Sequence, residues 1–145
     1  MKMTLKFFLC ILGLSCFSLT ACSNNNESVL PATQKRVNET RTFEAPNQDI
    51  LLKTIITTLQ DQGFNIVKVN LDSSEVTAQQ NSNIILSVMT YSIDKNKFAV
   101  RVNGQIYNNF SASSTGYENI VDPVFYQKNF FEPLSRSLFL QNQPF

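Results

Sequence analysis

Between Asn47 and Phe64 the chain carries the signals of one complete amphipathic helix. Asn47 is a good N-cap, Asp49 places negative charge in the first turn, and Gly63 sits where a left-handed C-cap belongs. Leu52, Ile55, Ile56 and Leu59 recur at helical spacing, with Ile50 and Leu51 widening the stripe. Such a stripe has to be buried against something. The downstream half of the chain supplies the partner. Four runs of β-forming residues, Phe64–Leu71, Glu75–Gln80, Ile84–Ile93 and Phe98–Tyr107, are separated by short polar turns.

These runs predict an antiparallel sheet with one dry face. In the last of them Phe98, Val100, Val102 and Ile106 share one side, and Arg101, Asn103 and Gln105 share the other. The apolar phase switches between Ile66 and Val67, which predicts a bulge there. A short strand over Arg41–Ala45 precedes the first helix. Asn108–Asn119 reads as a polar loop containing Phe110 and Tyr117. Asp122-Pro123 starts a second helix, which Pro133 should kink or divide near Phe131-Glu132. The predicted order is β-α-β-β-β-β-α. The fold class is α+β, an antiparallel sheet with both helices packed on one face.

The N-terminus is of another kind. Lys2 and Lys6 precede an apolar run from Phe7 to Leu19, thirteen residues long and ending at Leu19-Thr20-Ala21-Cys22. A basic start, a short apolar stretch and small residues are the parts of a secretory signal. The run is shorter than the roughly 20 apolar residues of a membrane-spanning helix. With the cysteine placed directly after Leu-Thr-Ala, the pattern resembles the lipobox of bacterial lipoproteins. That resemblance implies removal of residues 1–21, lipidation of the Cys22 sulfur and attachment to a membrane through acyl chains. Each buried methylene contributes roughly 0.8 kcal/mol, so two or more chains make a lasting anchor. Ser23 replaces the Asp typical of lipoproteins kept in a proteobacterial inner membrane. This favours the outer membrane, facing the periplasm, in a host with two membranes. Residues 22–40 then read as a lipidated, flexible tether and residues 41–145 as a single domain.

Removing residues 1–21 changes the chemistry available. Without Lys2 and Lys6, ten Lys/Arg face eleven Asp/Glu, a net charge of −1. This gives no clustered basic footprint for nucleic acid. Cys10 and Cys16 leave with the signal and lipid would cap Cys22, so neither a disulfide nor a thiol nucleophile is expected. The core must be sufficient alone, and nine Phe and four Tyr supply it. With no histidine in the chain, the commonest general base and metal ligand is missing. We expect no cofactor, no metal and no catalysis.

Two features point to binding instead. On the wetter sheet face, Met89 and Tyr91 of one strand should neighbour Arg101, Asn103, Gln105 and Tyr107 of the next. Tyr, Met and Arg are enriched at protein interfaces, although the same pattern also suits an ordinary solvent face. Phe110 and Tyr117 form a second candidate, a partner-binding loop, with packing onto the domain itself as the other reading. The expected role is a protein-binding accessory in envelope assembly, trafficking or secretion. The alternative is a carrier of a small apolar ligand, held in a cavity among Phe98, Val102, Phe125, Phe130 and Leu134.

Finally, Leu59-Gln60-Asp61-Gln62-Gly63-Phe64-Asn65-Ile66, Glu75-Val76-Thr77-Ala78 and Val100-Arg101-Val102 resemble runs in small periplasmic lipoproteins. A helix closing on Gly-Phe before a strand and hairpin is also similar to the helix-grip domains of the BamC family, accessory lipoproteins of outer-membrane β-barrel assembly. This chain has one such domain where that family has two. The resemblance implies a helix-grip-like fold and assigns no functional residue.

Overall fold

The computed structural model describes residues 31–108 and 116–141. Along the chain lie α1 (Ala32–Glu39), β1 (Thr40–Glu44), α2 (Gln48–Asp61), β2 (Asn65–Asn70), β3 (Glu75–Gln80), β4 (Ile84–Asp94), β5 (Lys97–Asn108) and β6 (Gly116–Asn119). A last helix, α3, runs over 123–141 in three parts: an α turn Pro123–Tyr126, a π turn Gln127–Phe131 and an α segment Glu132–Gln141. All strand pairs are antiparallel, in the order β1-β5-β4-β3-β2, with β6 also paired to β5. The fold is α+β, as the sequence patterning requires.

Helix α2 begins and ends where its signals lie. The Asn47 side chain accepts from the Ile50 N–H at 2.8 Å, satisfying one of the orphan donors of the first turn. At the other end Gly63 takes φ +81°, a conformation that costs a side chain strain. Leu51, Leu52, Ile55 and Leu59 enter one core with Val76, Ala78, Leu86, Val88, Val100 and Val102 of the sheet, and with Phe130, Phe131, Leu134 and Leu138 of α3. Along the seam between the two helices Thr54 bonds Gln141 at 2.7 Å and Thr58 bonds Ser137 at 3.1 Å. Their hydroxyls are thereby satisfied where the helices exclude water. The expected bulge is present, with the β2–β3 register shifting between Ile66 and Lys68.

Two expectations need correction, and a third is met in an unexpected form. Residues 32–39, read as part of a flexible tether, form α1, and its last residue, Glu39, is buried. The predicted polar loop contains β6, whose residues 116–119 pair with Asn108–Gln105. Pro133 stands just past the expected division of α3, the boundary between its π and α parts at Phe131-Glu132. It follows the π turn, where the Glu132 N–H reaches back five residues to the Gln127 carbonyl. The widened turn accommodates a residue that has no N–H and whose ring would crowd the preceding turn.

One edge of β5 is shared by two short strands. β1 covers Lys97–Arg101 and β6 covers Gln105–Asn108, leaving 102–104 between them. Tyr126 repairs this break. Its hydroxyl accepts from the Gly104 N–H at 3.0 Å and donates to the Ile120 carbonyl at 2.6 Å, while the Ile120 N–H bonds the Gly104 carbonyl at 2.8 Å. No buried backbone group of Gly104 is left unpaired, as a dry site demands. A Cβ on Gly104 would lie 3.0 to 3.2 Å from Ile120, Leu86 and Tyr126, so the residue is glycine for want of space.

Candidate functional site

With α2 and α3 on one side, the other side of the sheet is where the candidate residues fall. Strand alternation decides which side chains meet. Met89 lies opposite Arg101, Ser87 opposite Asn103, Ile85 opposite Gln105 and Tyr91 opposite Ala99. On the far side of β4, Glu75 faces Met89 and Thr77 faces Ser87. Directly opposed residues project to the same face, about 4.5–5.5 Å apart. Met89, Tyr91, Arg101, Asn103, Gln105 and Tyr107 therefore form one surface on β4 and β5, as their spacing predicts.

Tyr117 joins it from another direction. Expected as a loop residue, it sits on β6 opposite Tyr107, with ring centroids 5.1 Å apart and planes inclined by 58°. The face and loop candidates thus merge at this corner of the sheet. Phe110 and Cys22 lie outside the described residues. Met89, Tyr91 and Tyr117 remain 38%, 41% and 46% exposed, too wet for core residues and larger than most side chains on a solvent face.

The charged centre of this face does not show in the sequence pattern. Glu39 is 1% exposed, and its carboxylate lies 3.4 Å from the Arg101 guanidinium, 3.4 Å from the Asn103 amide and 3.7 Å from the Lys35 ammonium. Arg101 and Lys35 are partly exposed, so water shares in solvating the positive side. Arg41 adds a second tie. Its guanidinium caps the end of α1 by donating to the Val37 carbonyl at 2.9 Å and rests 5.2 Å from the Phe131 ring centre. The only local sign in the sequence is Lys35 and Glu39 at helical i,i+4 spacing. Glu39 finds its main partners 62 and 64 residues away, and spacing does not encode that.

The five residues named for an apolar cavity pack differently. Phe98, Val102, Phe130 and Leu134 are buried in the core cluster, and Phe125 packs at its margin. Phe125 also borders a groove of about 130 Å³ with Gln62, Phe64, Gln80, Ile84 and Asn129. Ligand sites usually enclose about 300–1,000 Å³. Among the described residues no three His, Cys, Asp or Glu side chains converge as a metal site would need, and no helix is long and apolar enough to cross a membrane.

No family model matches this chain, and no curated protein does. Among solved structures, it is similar to the adenylate sensor from AMP-activated protein kinase in complex with 5-aminoimidazole-4-carboxamide 1-beta-D-ribofuranotide. The two are 16% identical over 68% of this chain and 94% of that one, with a TM-score of 0.42. A likeness this distant carries no functional argument.

Proposed function

We propose that this chain is a lipid-anchored, non-catalytic envelope protein whose domain binds another protein through the open face of its sheet. The anchor is Cys22, on the strength of the Leu19-Thr20-Ala21-Cys22 pattern, and Ser23 favours the outer membrane in a host with two membranes. The observation that carries the binding role is that half-exposed Met89 and Tyr91 beside Arg101, and half-exposed Tyr117 paired with Tyr107 farther along β5, all project from this one face. Rigid aromatic side chains and a held guanidinium are the residue types that anchor protein interfaces.

The test is photo-crosslinking in living cells, with a benzophenone side chain placed at Tyr91 or at Tyr117 of the full chain. A Cys22→Ser form runs in parallel. One defined envelope protein recovered from both forms, and lost when Met89→Lys is added, is the expected result. Recovery of bulk lipoproteins alone, and only with Cys22 intact, would sink the reading.

A further inference from the structure

Helix α1 changes what a lipid anchor at Cys22 does to the domain. Eight residues, Ser23–Leu30, separate Cys22 from Pro31, the N-cap of α1. Whatever their conformation, they span at most about 30 Å. Had the domain begun at residue 41, the reach would be roughly 60 Å. The chain thus enters the domain at one defined place, the start of α1.

The far end of α1 is firmly attached. Glu39 at the end of α1 is buried against Arg101 and Asn103 of β5, and Arg41 joins the helix end to Phe131 of α3. Lys35, Asn38 and Glu39 turn inward, leaving Thr33, Arg36 and Val37 on the outer face. Val37 is 63% exposed. The exposed residues of α1, Ala32, Thr33, Gln34, Arg36 and Val37, include one cation and no acid. A charge of that sign suits the anionic surface of a bilayer.

We infer that the outer face of α1, with Arg36 and Val37 at its centre, is a membrane-facing surface that rests on the lipid headgroups in which Cys22 is anchored. The inference rests on the lipid-anchor reading above. In this orientation α1 lies near the bilayer. The β2–β3 turn lies at the opposite margin of the sheet, four strand spacings from β1, or about 19 Å away.

With the three native cysteines accounted for by cleavage and lipidation, one introduced thiol can be labelled selectively. The full chain is made with Val37→Cys, or with Ser73→Cys in the β2–β3 turn, and purified from membranes. Intact mass is read first. Each form then receives a fluorophore and is reconstituted into vesicles of phosphatidylethanolamine and phosphatidylglycerol doped with a headgroup spin-labelled lipid. Quenching several-fold stronger at position 37 than at 73 is expected, and it should weaken when Arg36→Glu is added. Equal quenching at the two positions on a lipidated protein overturns the membrane-facing α1 and leaves the anchor intact. A mass showing bare Cys22 overturns the anchor, and this inference with it.

Discussion

At the scale of the residue, Tyr126 takes the part of a missing strand. Its hydroxyl bonds both Gly104 and Ile120 where β1 and β6 leave the edge of β5 uncovered. Tyr126→Phe keeps the ring and strands the Gly104 N–H in a dry site. Leaving such a donor unpaired costs about 1–3 kcal/mol, to be read as a lower denaturation midpoint at unchanged slope. The same hydroxyl sets a pH dependence. Burial, aided by the Glu39 carboxylate and opposed by the Gly104 hydrogen bond, pushes the phenol up to about 12 from its ordinary value of 10.0. Below pH 10 the folded and unfolded chains both hold the proton, and the stabilisation is whole. Between pH 10 and about 12 the unfolded chain releases it first, so stability falls. The variant should show a shallower loss across that window when denaturation midpoints are measured against pH.

Elements differ in how far their sequences announce them. Helix α2 is legible from end to end because its caps and its stripe are local, and Asn47 and Gly63 act as predicted. β3 and β4 are legible because alternation is local too. α1 is not, since its eight residues are too few to be helical alone and it persists through contacts made far along the chain. β6 is hidden for a similar reason. Gly116-Tyr117-Glu118-Asn119 looks like loop until the ladder with β5 is formed. The open face is readable as a list of residues, but its ionic centre is not, because Glu39 reaches Arg101 only through the fold. If Glu39 holds α1 in place, Glu39→Ala should speed amide hydrogen exchange across 32–39 while β4 and β5 exchange as before. A uniform increase throughout the domain would show that Glu39 supports the whole core instead.

For the molecule as a whole, the packed core and the proposed binding face occupy opposite sides of one sheet. Leu86 is fully buried on the helix side, whereas Tyr91 of the same strand is 41% exposed on the other. Leu86→Ala should cost about 2–5 kcal/mol through lost packing and a residual cavity. Tyr91→Lys should stay within about 0.5 kcal/mol of the parent, as surface changes usually do. Chemical denaturation of both variants separates the two sides. The margins of the sheet have a consequence of their own. One is divided between β1 and β6, five and four residues long, and the other is β2, broken by its bulge and carrying Lys68. Short, interrupted and charged borders are poor templates for a neighbour's backbone. Copies held side by side on a membrane, as proposed, would therefore find little open border through which one could extend the next into a fibre.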